Sequence, residues 1–376
     1  MAKKSNSLKV MTILGTRPEI IRLARILPKL DEYLNHIIVY TSQSYSPELS
    51  TVFFKDFKLR KPDYVLDVKS ETLGGLIANV LKQTETAMLK EKPDAILILG
   101  DTNSALSAII AKRMKIPIFH MEAGNRSFDD NVPEEVNRRI VDHISDYNLA
   151  YTENSRRYLI EEGIHPGTIY VTGSPLGEVL AYYSQDIEKS NILTKLKLEE
   201  KKYFVASAHR EENVDNPKHL KELFGSLNYI AQKYKLPVIV SFHPRTKDRL
   251  SKTKIKLHKL VRLETPFGFF DYNKLQKYAL CVLSDSGTIQ EESAILDFRA
   301  IQIRISSERP EAFDAGTIIL TGHNKETIQK AIELVVDLEE KGEKMDIPEG
   351  YKIQNVSTKV IKLVLGLASI SKYQKS

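Results

Sequence analysis

Short apolar runs rich in β-branched residues recur along the chain, at residues 8–14, 36–40, 95–99, 117–120 and 147–151, with helical periodicity between them. Strands that alternate with helices predict a parallel sheet. A second series follows at 203–207, 237–241, 280–284 and 300–303 and predicts a second sheet. From Gly173-Ser174-Pro175 through residues 184–190 the chain is rich in turn formers and charge and carries no strand pattern, which puts a domain boundary near residue 176. The expected organisation is an α/β chain of two domains, 1–176 and 177–356. The first helical stretch aligns Ile20, Leu23, Leu27 and Leu30 on one stripe. The last, 357–373, carries Val360, Ile361, Val364, Leu365 and Ala368 on one face and reads as a terminal amphipathic helix.

A length of 376 residues suits two domains of roughly 150 to 200 residues each. With 42% hydrophobic and 28% charged residues the composition is that of a globular enzyme. The 55 Lys and Arg against 49 Asp and Glu leave a formal charge of +6, which suits a phosphate-bearing small ligand, nucleic acid or an acidic surface alike. Lysine runs such as 195–202 and 252–259 read as solvated helix faces. No zinc-finger spacing, base-stacking aromatic-basic interleaving or P-loop appears, so a nucleic-acid partner is not expected. The basic N-terminus leads into an apolar run that reads as a strand, not a signal sequence, and no stretch approaches the ~20 apolar residues of a membrane span. No membrane partner is therefore expected. The single cysteine, Cys281, lies in an apolar run; it allows no intrachain disulfide and fits a reducing cytoplasm.

The informative residues sit where strands end, which is where open parallel sheets bind ligands. After the first strand, Gly15-Thr16-Arg17-Pro18-Glu19 opens a helix, and Arg17 beside free backbone donors suits an anion, or else pairs with Glu19 on the surface. Two further strands run into Gly100-Asp101-Thr102 and Met121-Glu122-Ala123-Gly124. Paired carboxylates at neighbouring strand ends suit general acid/base work, although Asp101 also fits a helix cap. Asn131 and Glu134 have capping-box spacing, with Glu135 able to pair with Arg138 or Arg139. In the second half, His209-Arg210 and His243-Pro244-Arg245 follow successive strands and suit a pyrophosphate. Residues 283–292 pass from a strand through Ser284-Asp285-Ser286-Gly287-Thr288 into a helix, the backbone that cradles phosphate. Glu292 follows, either as an acceptor for ribose hydroxyls or as a solvated helix glutamate. Gly-x-Gly-x-x-Gly is missing after the first strand, and no His, Cys and carboxylate cluster has metal-ligand spacing. Neither a nicotinamide cofactor nor a metal is expected.

Together, Gly15-Thr-Arg-Pro-Glu19, Gly100-Asp-Thr102, Glu122-Ala-Gly124, Arg126, Pro133-Glu-Glu-x-Asn-Arg138, His209-Arg210, Asp285-Ser-Gly287, Gln290-Glu-Glu292, Glu308-Arg-Pro-Glu311 and Ala315-Gly316 closely resemble the non-hydrolysing UDP-N-acetylglucosamine 2-epimerases, in unbroken order. The resemblance implies a GT-B fold, with parallel sheets of two Rossmann-like domains facing a central cleft, the C-terminal helix returning to the first domain, and a homodimer. It implies that a UDP-activated 2-acetamido sugar is epimerised at C2 through loss of UDP to a 2-acetamidoglycal, without a cofactor. It assigns proton handling to Asp101, Glu122 and Glu134, and puts His209 near the diphosphate. Arg17 and Ser286 match phosphate contacts, Glu292 a ribose clamp and Tyr272 a neighbour of uracil; Arg22, Arg138, His243, Gly287 and Arg309 complete the ligand-binding set.

The chain departs from the commonest pattern of that family at Arg22, where many members have Lys, at Thr288 and Ala208, where Gly is usual, and at Asn125 within Ala-Gly-Leu-Arg. The strings Ala123-Gly-Asn-Arg126, Val132-Pro-Glu-Glu135, Asp142-His-Ile-Ser145, Ala208-His-Arg-Glu-Glu-Asn213 and Gly268-Phe-Phe-Asp-Tyr272 most resemble the branch that makes UDP-N-acetyl-L-fucosamine from its 2-epimer, the 6-deoxy-L-talose derivative, for capsule or O-antigen. Interconversion of UDP-N-acetylglucosamine and UDP-N-acetylmannosamine is the alternative substrate reading. A GT-B glycosyltransferase, a hydrolase or a silent UDP-sugar-binding protein are the alternatives of other classes.

Overall fold

The computed structural model describes residues 8–42, 53–129, 132–208, 216–241, 250, 253 and 255–375. The chain divides into two compact units, Met1–Val179 with Glu349–Ser376, and Leu180–Pro348. The change of unit thus falls at 179/180, and the return to the first unit begins at Glu349, ahead of the expected terminal helix.

In the first unit the described strands are β1 (Lys9–Leu14), β2 (Asn35–Tyr40), β3 (Tyr64–Val65), β4 (Ala95–Leu99), β5 (Ile118–Ala123), β6 (Tyr147–Ala150) and β7 (Ile169–Val171). They form one sheet in the order β3-β2-β1-β4-β5-β6-β7, every pair parallel. The order reverses between β1 and β4, which opens a crevice beyond the ends of those strands. All five residues of β4 are buried, as a parallel strand covered on both faces requires. The second unit repeats the plan with β8 (Phe204–Ser207), β9 (Val238–Ser241), β10 (Val261–Glu264), β11 (Cys281–Ser284), β12 (Ala300–Gln302) and β13 (Ile319–Leu320), in the order β10-β9-β8-β11-β12-β13. Its switch point lies between β8 and β11. Cys281 is buried in β11, where burial pushes its thiol up to about 12. Among the described residues no helix is long and apolar enough to cross a membrane.

The strands β3, β7, β10 and β13 were not expected. Each is two to four residues long, and β3, β7, β10 and β13 lie at the sheet edges, where pairing on one side needs little apolar sequence. The first helical stripe is also divided: Arg17–Leu23 and Ile26–Tyr33 are separate helices, although Ile20, Leu23, Leu27 and Leu30 all remain buried.

Glu19 sets the start of the first of these helices. Its Oε2 accepts from the Gly15 amide at 3.1 Å, the Thr16 amide at 2.6 Å and the Thr16 hydroxyl at 2.6 Å, while Oε1 accepts from the Thr102 hydroxyl at 3.3 Å. Burial pushes its carboxyl up to about 7, against the opposing pull of those hydrogen bonds.

The terminal helix, Val356–Lys375, buries Val356, Val360, Val364 and Ala368 and packs on Ile26–Tyr33, whereas Leu365 from the expected apolar face is half exposed. Lys29 Nζ donates to Thr358 Oγ1 at 2.5 Å, and Ser357 donates its amide to Glu178 at 2.7 Å. Just before it, the Gly350 carbonyl accepts from the Ser174 amide at 2.9 Å. A Cβ on Gly350 would fall 2.7 Å from both Thr152 Cγ2 and the Tyr151 carbonyl oxygen, so the returning chain is packed backbone to backbone.

Three outcomes follow for stability. Gly350→Ala should lower the melting temperature through overpacking worth about 1–3 kcal/mol. Gly366→Ala, exposed in the terminal helix with nothing within 4 Å, should raise it through about 0.5–1 kcal/mol of added helix stability; thermal melts that reverse this order would contradict the packing. For Glu19 the folded value lies above the usual 4.5, so the protonated form is favoured by folding. The associated stability is complete below about 4.5 and is lost as pH rises to about 7. Relative to Glu19→Gln, the native chain should therefore lose roughly 3 kcal/mol across that window and little more above it; a pH-independent gap between the two melting curves would overturn the assignment.

Candidate functional site

In the first unit the expected residues gather at the ends of β1, β4 and β5. After β4, Gly100 takes φ = +76°, a left-handed turn that glycine accommodates, and delivers Asp101. Asp101 does not cap the following short helix, whose N-cap is Thr102. Its Oδ2 instead accepts from Arg138 through Nε, at 3.0 Å, and Nη2. Arg138 is buried and also donates through Nη1 to Glu135 at 2.6 Å, so one guanidinium joins two carboxylates. Asn137 fastens the same turn, donating to the Asp101 carbonyl at 3.0 Å and to Asn103 Oδ1 at 3.1 Å.

Glu122 lies inside β5 rather than beyond it. The register of β5 against β6 shifts between Met121 and Ala123, and Glu122 takes φ = +64°. For a non-glycine residue this costs about 1–2 kcal/mol, and a bulge of this kind re-aims a side chain. The Glu122 carboxylate meets Arg22 Nε at 3.6 Å, the Tyr151 hydroxyl at 3.5 Å and Asn125 Nδ2 at 3.4 Å. It also approaches Gly100, where a Cβ would lie 3.9 Å from Oε2. Asp101, in the turn after β4, and Glu122, at the bulge of the neighbouring β5, thus each stand beside an arginine of their own. Arg22 is buried, with its guanidinium 5.6 Å from the centre of the Tyr151 ring. Asn125, one of the departures noted in the sequence, is buried against Glu122 and accepts from the Ser155 hydroxyl at 3.0 Å.

Arg17 is exposed at the start of its helix, 5.6 Å from the centre of the Phe53 ring. The helix Pro133–Ile144 has Val132 as its N-cap, without a side-chain cap bond. The expected capping residue Asn131 lies outside the described residues. Glu134 is exposed in the first turn, and Glu135 is the buried member of the pair, bonded to Ser127 and paired with Arg138 and Arg139. His209 and His243 also lie outside the described residues.

In the second unit, β11 ends in the turn Ser284 to Thr288 before the helix Ile289–Leu296. Ser284 Oγ accepts from the Ser286 amide at 3.1 Å, and the Ser286 and Thr288 hydroxyls lie 2.9 Å apart, which holds the turn tight at a helix N-terminus. A side chain at Gly287 would begin 3.4 Å from Glu308 Oε2. Glu308 is bound by the buried Arg304 at 3.2 and 3.3 Å, and Arg309 is buried against Glu291. Glu292 is buried, not solvated, and accepts from Gln276 Nε2 at 2.9 Å. Tyr272 stacks on Phe267 with an interplanar angle of 13°. Sequence reasoning did not single out Gln276, whose only signal is helical spacing, and it read Glu19 within the corner motif as a candidate surface partner of Arg17, whereas Glu19 is buried and bonded to Gly15, Thr16 and Thr102.

A family profile described as UDP-N-acetylglucosamine 2-epimerase matches residues 29–365. A curated UDP-N-acetylglucosamine 2-epimerase of Methanocaldococcus jannaschii is 38% identical over 88% of this chain and 93% of its own length. A solved structure of UDP-N-acetylglucosamine 2-epimerase from Rickettsia bellii aligns with TM-score 0.91 and 45% identity, covering 97% of this chain and 98% of that one. The Methanocaldococcus jannaschii enzyme in complex with UDP-GlcNAc and UDP aligns with TM-score 0.87 and 36% identity, over 95% and 99%. The α/β fold with two parallel sheets is that of these GT-B-like enzymes. With two carboxylates at the switch point of one sheet and a phosphate-type turn at the other, the chain belongs to the UDP-N-acetylglucosamine 2-epimerase family, isomerases that act on UDP-sugars.

Proposed function

We propose that this chain inverts C2 of a UDP-activated 2-acetamido sugar by eliminating UDP and adding it back. The observation that carries the reading is the pair Asp101 and Glu122, two carboxylates at the carboxyl ends of neighbouring strands, one in a turn and one at a bulge, each with its own arginine. One carboxylate takes the C2 proton. The C–H electron pair becomes the C1–C2 double bond as the bond from C1 to the diphosphate oxygen breaks, and UDP leaves with that oxygen. In the return step the diphosphate oxygen re-forms its bond to C1 while a proton reaches the opposite face of C2. Because the C2 hydrogen is not α to a carbonyl, stabilising the departing diphosphate is as necessary as removing the proton.

Glu134 and His209 join the proton-handling and leaving-group roles, and Arg17, Arg22, Arg138, His243, Ser286, Gly287 and Arg309 the binding of substrate. The buried Glu292, oriented by Gln276, suits the two ribose hydroxyls, and Tyr272 suits the uracil face. The domains in this reading are 1–176, joined by the terminal helix, and 177–356, working as a cytoplasmic homodimer.

The substrate in this reading is UDP-2-acetamido-2,6-dideoxy-L-talose, converted to UDP-N-acetyl-L-fucosamine for capsular polysaccharide or O-antigen. Its support is the set of strings quoted above, together with the contact of the departing residue Asn125 with Glu122. A second reading, UDP-N-acetylglucosamine to UDP-N-acetylmannosamine, draws on the relatives, whose names and bound ligand are those of UDP-N-acetylglucosamine enzymes.

Incubation with each UDP-sugar in deuterated water, followed by NMR at C1 and C2, tests reaction and substrate together. Deuterium should enter C2 without any acceptor, and the 2-epimer should accumulate. A glycosyltransferase or a silent binding protein would show no exchange, and a hydrolase would release free UDP at the rate of turnover. Asp101→Asn, Glu122→Gln and His209→Ala should each lower turnover by about a hundredfold or more, the scale of a lost positioned acid or base. Near-native rates in all three would remove the mechanism.

A further inference from the structure

The turns that carry Asp101 and Glu122 are joined from beneath by a string of buried polar groups that the reaction as written does not use. His120 in β5 is fully buried. Its Nε2 lies 2.8 Å from the Gly100 carbonyl oxygen and its Nδ1 lies 2.8 Å from Asp142 Oδ1. Each contact needs a hydrogen, one on Nε2 facing the carbonyl and one between Nδ1 and the carboxylate, so neither edge of the ring is idle. Asp142, on the helix Pro133–Ile144, is equally buried. Its Oδ2 accepts from the Gly124 amide at 3.1 Å and from Arg126 Nη1 at 2.7 Å. Arg126 in turn donates to Glu162 at 2.7 and 2.6 Å. Burial alone raises the Asp142 carboxyl, but the hydrogen bonds and charges of His120 and Arg126 together hold it below the usual carboxylate range.

The two backbone groups at the ends of this string are what give it meaning. Gly100 immediately precedes Asp101, and Gly124 closely follows Glu122; both adopt left-handed backbone angles, at φ = +76° and +81°. Left-handed turns are soft unless something holds them. The same helix that supplies Asp142 supplies Arg138, which grips Asp101 from the other side. Buried ionic strings seldom stabilise more than well-packed apolar residues would, so stability alone is a weak reason for this one.

We propose that His120 is a positioning residue: through the contact of its Nε2 with the Gly100 carbonyl it ties the Gly100–Asp101 turn to β5, the strand that carries Glu122, and so sets the spacing of the two carboxylates. The proposal rests on the reading of Asp101 and Glu122 as the groups that move the C2 proton. His120 touches no reacting atom.

Two substitutions separate the ends of the tether. In His120→Gln the side-chain amide reaches the position of Nε2 and keeps the bond to Gly100. In His120→Asn it reaches only the position of Nδ1, keeping Asp142 and losing Gly100. With the UDP-sugar that the full-length enzyme turns over, kcat, KM and C2 deuterium exchange are measured for both, beside Asp101→Asn. His120→Asn should lower kcat and exchange in parallel, by about a hundredfold, the scale of a misplacement of about 1 Å. Its KM should stay near the native value, and His120→Gln should recover most of the rate. A native kcat for His120→Asn beside a slow Asp101→Asn would overturn the positioning role alone. A native rate for Asp101→Asn would overturn the carboxylate reading and the proposal with it. Equal losses in the two His120 variants, in rate or in folded yield, would assign the residue to folding and likewise overturn the proposal.

Discussion

A carboxylate at the buried end of a parallel strand loses water on several sides and stays charged only where cations or amide hydrogens replace that water. In the first unit four carboxylates have four different sets of partners. The Glu19 carboxyl is raised by burial, which its neutral donors from Gly15, Thr16 and Thr102 only partly offset. Asp101 is gripped by Arg138. Glu122 has the longer contacts of Arg22, Tyr151 and Asn125. Asp142 lies between His120 and Arg126 and is held low.

The second unit applies the same constraint to a different end. Around the turn after β11, the acidic side chains Glu291 and Glu308 are each met by a buried arginine, and Glu292 by an amide. With the charges of Glu291 and Glu308 compensated, the backbone donors at the start of Ile289–Leu296 stand in a setting that favours an anion. The neutral partner of Glu292 matters as well. A carboxylate held by an amide hydrogen bond retains acceptor capacity for hydroxyls, which an arginine in bidentate grip would take up.

Much of this was legible beforehand because periodicity and polar strand ends are local signals. The inner strands were found from apolar runs, and the corners at residues 15–19, 100–102, 122–124 and 284–292 from polar residues at their ends. What escaped has a physical reason in each case. The strand β3 at Tyr64–Val65 is too short to show alternation. The break between Leu23 and Ile26 leaves the apolar stripe intact, so the stripe cannot report it. Asp101 fits a cap by spacing, but a distant guanidinium competes for it and wins with charge. His120 reads as one more strand residue until the fold brings Gly100 and Asp142 to its two nitrogens.

The sequence by itself determined the alternation of strand and helix, hence parallel sheets, and the family, through motifs whose order is a property of the chain. Only the tertiary structure decided which carboxylate faces which cation, that Glu122 turns out of a bulge rather than a strand end, and that Glu135 is the buried acid while Glu134 is exposed. Those outcomes depend on residues tens of positions apart meeting at distances of a few ångströms. Electrostatic and hydrogen-bond energies at that range change steeply with geometry, and spacing along the chain carries no record of it.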